Sequence, residues 1–281
     1  MSSIDENEVR SIVDEVVDRV TRRNDSSGSS QTTMGSAGRP AGSTGAQEGL
    51  EGSYTDVDEA VQSSRMAYNQ IRGQGNLAVR ERAIENIREV AREKAPGWAN
   101  ETVRETGFGR PEDKTEKITL VANETPGIDD IEAEVTTGDH GLTLEEFAPW
   151  GVIGSITPST NPTATMVNTS ISMIAAGNAV VFNPHPEAKQ VCADAVHHLN
   201  KAIQKAGGPP DLLTIISEPT LDTAQNVFHH DDIDLLVVTG GGAVVEEAMK
   251  ADKRVMAAGP GNPPVVVDET ADIPHAAEKI V

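Results

Sequence analysis

The stretch from Trp150 to His185, WGVIGSITPSTNPTATMVNTSISMIAAGNAVVFNPH, limits the possible fold more than any other part of the chain. Gly151 to Thr157 is a short apolar run with β-branched residues, the length of a buried strand. A polar turn follows, Pro158-Ser159-Thr160-Asn161-Pro162. An apolar-periodic segment from Thr163 to Ala176 then stops at Gly177-Asn178, the pattern of a helix with a C-terminal glycine. Ala179 to Phe182 reads as a second strand, running into another proline-broken turn, Asn183-Pro184-His185-Pro186. A strand, helix, strand unit crosses over right-handed with its strands parallel, so both turns open on the same sheet edge. That edge is where α/β folds bind ligands. Each turn sets one amide, Asn161 or Asn183, among prolines that fix the backbone around it. Asn-Pro is also a good turn former in its own right. Two such turns on one edge point to a site.

Composition narrows the function classes. With 281 residues, 37% of them hydrophobic, the chain can build one large domain or two smaller ones around a real core. Its net charge of -21 argues against unaided binding to nucleic acid or to an anionic membrane surface. The acid excess also reads as a solubility or salt adaptation. A single cysteine excludes a disulfide framework and fits a reducing compartment. No apolar run approaches the ~18 residues of a membrane span, and the N-terminus lacks the order of a secretory signal. The expected location is the cytoplasm. Cys192 sits on the apolar stripe of a helix expected over 187–206, as a small core residue rather than a nucleophile. No His, Asp, Glu or Cys set has metal-ligand spacing, so no metal is expected.

Along the chain, residues 1–23 form a separate unit. Val9, Ile12, Val13, Val16, Val17 and Val20 recur at helical steps between charged residues, giving one apolar face. Residues 24–50 are a Ser/Gly/Thr-rich flexible linker. A helix so tethered either docks into a partner or folds back on its own domain. Residues 51–128 read as helical, with one stripe over Leu77 to Lys94, and Glu101 and Glu105 read as surface charge. Residues 129–148 hold a hairpin, with Ile131, Ala133 and Val135 on one arm, Leu142 and Leu144 on the other, and a turn over 137–141.

From 149 to 281 strands and helices alternate. Gly207-Gly208-Pro209-Pro210 stops the helix that carries Cys192; Leu212 to Ile216 is a strand, Leu221 to Phe228 a helix and Ile233 to Val238 a strand. That last strand runs into Thr239-Gly240-Gly241-Gly242 and a helix over 243–249. A strand, glycine loop and helix start supply bare N–H groups for phosphate, although Val245 stands where a dinucleotide fingerprint would carry its last glycine. Close helix packing explains a triple glycine equally well. Ala257-Ala258-Gly259-Pro260-Gly261-Asn262-Pro263-Pro264 follows, and then an expected strand over 265–267.

These segments carry a family resemblance. ITPSTNP resembles the ITPWN-type turn of aldehyde dehydrogenases, AGNAVVFNPHP resembles their AGN-x-VV-x-KP segment, and TGGG resembles the TGS-type turn over the cofactor pyrophosphate. The forms TNPT and NPHP resemble the CoA-acylating branch packaged in bacterial microcompartments. The resemblance implies an α/β fold of aldehyde dehydrogenase type, a Rossmann-like parallel sheet with helices on both faces. It adds an oligomerisation hairpin, and it likens residues 1–23 to an encapsulation helix that docks on a shell protein. It also implies NAD as cofactor, with NADP left open because Asn183 replaces a common lysine, and CoA as co-substrate.

In the implied mechanism a cysteine thiolate adds to a short aliphatic aldehyde and Asn161 stabilises the oxyanion. Hydride passes to the nicotinamide, and CoA takes the acyl group. The residues implied around the cofactor are Thr157, Pro158, Ser159, Asn183, Pro184, His185, Pro186, Gly208, Pro209, Thr239, Gly240, Gly241, Gly259, Pro260 and Gly261. Ala258 stands where hydrolytic relatives carry a glutamate base, which leaves the acyl-enzyme to a better nucleophile than water. The catalytic cysteine of the family is expected beyond the segment matching 279–281, so the chain reads as part of a longer enzyme. A non-catalytic shell-docking module that keeps nucleotide binding is the alternative, and an acyl-phosphate reductase is a third reading.

Overall fold

Val152 to Thr157 is buried along its whole length, as happens to a strand only at the centre of a sheet covered on both faces. The computed structural model describes residues 50–73, 77–259, 261 and 264–280. The expected encapsulation helix, nearly all of the linker, and Pro260 lie outside the described residues.

Six parallel strands form one sheet: β1 (Ser53–Tyr54), β4 (Val152–Thr157), β5 (Ala179–Pro184), β6 (Leu213–Ile216), β7 (Leu235–Thr239) and β8 (Arg254–Ala258), in the order β1-β6-β5-β4-β7-β8. Strands β2 (Glu134–Gly138) and β3 (Gly141–Glu145) form a separate antiparallel hairpin. All ten of their residues are exposed, Val135, Leu142 and Leu144 among them.

The helices are α1 (Val57–Gly73), α2 (Leu77–Thr106), α3 (Pro111–Glu124), α4 (Pro162–Ala175), α5 (Lys189–Lys205), α6 (Leu221–His229), α7 (Gly242–Ala248) and α8 (Ile273–Ile280). Helices α1 and α6 pack on one face of β4, β5 and β6. Helices α4 and α5 cover the other, with α2 laid across both and α3 against α2 and α4. The core between these layers includes Ile153, Met166, Ile171, Phe182, Leu199 and Phe228, all within 2% of complete burial.

Local chemistry explains why the central unit folds as its pattern predicts. Pro162 occupies the first turn of α4, where its missing N–H costs nothing. Helix α4 ends in a Schellman motif: Gly177 takes φ +79, its N–H donates to Ile174 O at 2.9 Å, and Asn178 N–H donates to Met173 O at 2.8 Å. The Asn178 side chain then accepts Gly151 N–H at 3.0 Å, tying the start of β5 to the start of β4.

Two expectations are corrected. The strand expected over 265–267 is irregular and exposed, Val266 at 92%, whereas β7 takes Arg254–Ala258 as its outer partner in parallel register. Short apolar runs of the same type cannot be ranked without knowing which neighbour is in reach. Glu105 is not merely surface charge either. From the last turn of α2 its two carboxylate oxygens accept Gln190 N–H at 2.8 Å and Val191 N–H at 2.9 Å, capping α5 from outside.

Candidate active site at the sheet switch point

From β4 the chain moves outward through β5 and β6, then returns across β4 to lay down β7 and β8. The crevice between the C-terminal ends of β4 and β7 is therefore a topological switch point, the place where open α/β sheets bind ligands. A cavity of about 970 Å³ opens there.

The cavity gathers residues from four strand ends. Thr157, Pro158, Ser159 and Asn161 come from the turn after β4, and Asn183, Pro184, His185 and Pro186 from the end of β5. Thr239, Gly240 and Gly241 follow β7, and Gly259 and Gly261 follow β8. Gly208 and Pro209 do not join them. They precede β6, with Gly208 N–H donating to Ile203 O at the C-terminal end of α5, and so lie at the opposite edge of the sheet. A βαβ unit puts loops before strands on the far side from loops after strands, which the sequence motif alone does not display.

Sequence reasoning missed the walls. Thr220, Leu221, Ala224, Gln225 and Phe228 of α6 and its cap line one side, and Val244 and Glu247 of α7 another. The Thr220-x-x-Thr223 pair was the available signal, since it forms a capping box: Thr223 N–H donates to Thr220 Oγ1 at 3.1 Å and Thr220 N–H to Thr223 Oγ1 at 2.8 Å.

The Thr223 hydroxyl in turn donates to Asn183 Oδ1 at 2.7 Å. With its oxygen so committed, Asn183, only 4% exposed, has its amide N–H groups to offer a ligand. Asn161 stands similarly. It precedes α4 at the N-cap position but makes no side-chain cap; its Oδ1 accepts from Lys117 Nζ on α3 at 3.4 Å. Both conspicuous amides thus turn their acceptor toward the protein.

The glycine loop divides its work. A Cβ on Gly240 would stand 2.8 Å from Val244 Cγ1, so the first glycine permits close packing, whereas Gly241 and Gly242 face open space with their backbone uncovered. Gly241 is the N-cap of α7.

Two titratable groups settle points of chemistry. Cys192 is completely buried, and desolvation, with Glu105 nearby, pushes its thiol far above the usual range. It is a core residue whose burial disfavours the thiolate. Ala258 ends β8 opposite Thr239 and brings no carboxylate to the cavity. Glu247 lines it, but the hydrogen bond and charge of Lys250 hold its carboxyl below the usual range, making it a weaker base. Among the described residues, no group of three or more His, Cys, Asp or Glu could hold a metal ion, and no helix is long and apolar enough to cross a membrane.

A second cavity, of about 350 Å³, lies between α3 and α4 and meets the first at Asn161, Thr165 and Thr239. Lys117, Leu120, Val121, Ala164 and Asn168 complete its lining.

Known proteins are similar to this chain. The acetylating acetaldehyde dehydrogenase EutE of Salmonella typhimurium is 51% identical over 231 residues, 82% of this chain and 49% of that protein. A propionaldehyde dehydrogenase from the fucose utilisation microcompartment of Clostridium phytofermentans superposes with a TM-score of 0.75 at 43% identity, over 82% of this chain and 53% of the other. The propionaldehyde dehydrogenase of Rhodopseudomonas palustris, solved with bound CoA and an acylated cysteine, gives 0.75 at 41% identity, over 80% and 52%. The chain spans about half the length of these relatives. The model of the aldehyde dehydrogenase family matches residues 29–281, and it is to the aldehyde dehydrogenase family that the chain belongs.

Proposed function

We propose that this chain is the nicotinamide-binding part of a CoA-acylating aldehyde dehydrogenase that oxidises a short aliphatic aldehyde to its acyl-CoA. The observation that carries the reading is the convergence of Asn161, Asn183 and the glycine loop in one cavity at the switch point. It is supported by relatives described as acetylating and CoA-bound.

The residues present fit a dinucleotide. The cavity is large enough, Asn183 offers amide donors at the end of β5 for ribose hydroxyls, and the backbone N–H groups after Thr239 offer donors for phosphate. The remaining contacts proposed are Thr157, Pro158, Ser159, Pro184, His185, Pro186, Gly259, Pro260 and Gly261. When bound, nicotinamide supplies the hydride acceptor. Asn161 holds an amide N–H toward the carbonyl oxygen as it becomes an alkoxide, an interaction strongest in the transition state and so lowering the barrier. Ala258, at the end of β8, brings no carboxylate to activate water, which favours thiol over water as acyl acceptor. This mechanism calls for a nucleophilic thiolate, and the buried Cys192 is not proposed to supply it.

The exposed hairpin β2–β3 is proposed as an oligomerisation element, because its uncovered apolar side chains and free edges suit pairing with another subunit. Residues 1–23 are proposed to dock on a microcompartment shell protein. Their deletion is expected to abolish encapsulation and leave soluble activity intact; unchanged encapsulation would remove that role. Titration of the chain with NADH, read by nucleotide fluorescence, tests the cofactor assignment: saturable binding weakened by Asn183→Ala supports it, and no binding overturns it.

A further inference from the structure

Two lysines one helical turn apart on α3 converge on the turn that carries Asn161. Lys114 is only 7% exposed, and its ammonium donates to the backbone carbonyl of Thr160 at 2.5 Å. Lys117 reaches Asn161 Oδ1 at 3.4 Å. The next carbonyl, Asn161 O, is taken up by the first turn of α4, where Thr165 donates its N–H and hydroxyl at 3.0 and 2.7 Å. The turn is thus held at both carbonyls, and the exposed Lys117 stands within reach of its side-chain oxygen.

A buried ammonium is costly, and among the described residues Lys114 has no carboxylate partner. Burial first, and Lys117 second, push its pKa down. A purely structural position would be filled more cheaply by an apolar side chain of similar length. Gly109, at φ +78, closes over the lysine stem, with its Cβ position 3.0 Å from Lys114 Cε, so the preceding loop is shaped to admit this side chain.

We propose that Lys114 and Lys117 are positioning residues for the oxyanion donor, Lys114 fixing the backbone of the turn and Lys117 fixing which way the Asn161 amide faces. An asparagine amide presents either its oxygen or its nitrogen to a ligand, and only the nitrogen stabilises an alkoxide. A cation at Oδ1 selects the productive orientation and polarises the amide so that its N–H donates more strongly. The positive charge behind the amide also favours negative charge in front of it. The inference rests on the reading of Asn161 as oxyanion donor, and it adds two residues from an element that no motif in the sequence connects to that turn.

The test uses the full enzyme that carries this chain. Lys117→Met is expected to lower kcat for aldehyde oxidation about tenfold, with KM for aldehyde and the NADH dissociation constant unchanged, the size expected for one charge-assisted hydrogen bond. Lys117→Arg, which keeps the cation, is expected to recover most of that loss. The decisive readout is the double variant: on an Asn161→Ala background, Lys117→Met should change kcat less than about twofold, because there is no amide left to orient. Losses that multiply in the double variant, or a Lys117→Met enzyme with normal kcat beside a crippled Asn161→Ala enzyme, would overturn the lysine proposal alone. A normal Asn161→Ala enzyme would instead remove the oxyanion reading on which it stands. Lys114→Met repeats the experiment for the buried residue, and should that variant not fold, Gly109→Ala displaces the Lys114 stem from outside the site and is expected to lower kcat without changing NADH affinity.

Discussion

Asn161 holds an N-cap position without capping its helix, and that spared side chain is the residue on which the proposed chemistry turns. Asn161→Ala is expected to lower turnover about a hundredfold or more while leaving nucleotide affinity nearly unchanged, as for loss of one preorganised oxyanion donor. Steady-state kinetics beside an NADH titration checks both halves, and near-normal turnover would remove the assignment. Cys192 makes the opposite prediction. Its thiol is buried and pushed upward, so Cys192→Ala should keep turnover within about twofold and cost about 1 kcal/mol of stability as a small cavity. A collapse of turnover with stability preserved would mean that this thiol takes part in the chemistry. At this scale much of the cavity lining was legible, because Asn161 and Asn183 sit in proline-bounded turns whose meaning is local. Lys114 and Lys117 were not legible: they meet a turn 46 and 44 residues away, and only the packing of α3 against α4 brings them there.

Among the elements, the strand β4, helix α4, strand β5 unit follows its pattern closely, since capping and glycine stops are written in neighbouring residues. Helix α5 is held differently. Its first turn is closed by Glu105 of α2, a contact across 85 residues, and this anchors the segment that leads in from His185 and Pro186 at the cavity. Glu105→Ala should cost about 1 kcal/mol in urea unfolding, the usual worth of a helix cap; a change within a few tenths would show that water replaces the cap. The packing of α6 on the sheet depends on Gly154 in β4, where a Cβ would meet Val227 Cγ1 at 2.8 Å and Leu236 Cδ2 at 2.9 Å. Gly154→Val should destabilise by about 2–3 kcal/mol through overpacking and weaken NADH binding as α6 is pushed outward. The exchange of the expected strand over 265–267 for β8 belongs to this scale, since strand pairing is decided by reach across the sheet rather than by local composition.

In the whole molecule, the strand order places the site. Reversal of direction after β6 opens the crevice, and the motifs that carried the resemblance prove to be the ends of the strands that border it. That much was legible from alternating strands and helices, whereas Gly208 and Pro209 were misplaced because only the topology separates the two edges of a sheet. The central claim is that the acyl group formed here passes to CoA rather than to water, and it is tested most directly by following NADH formation by the full enzyme with aldehyde, with and without CoA. The account predicts sustained turnover only when both are present, with acyl-CoA formed in equal amount to NADH. Equally fast NADH formation from aldehyde alone, with free carboxylic acid as product, would contradict it.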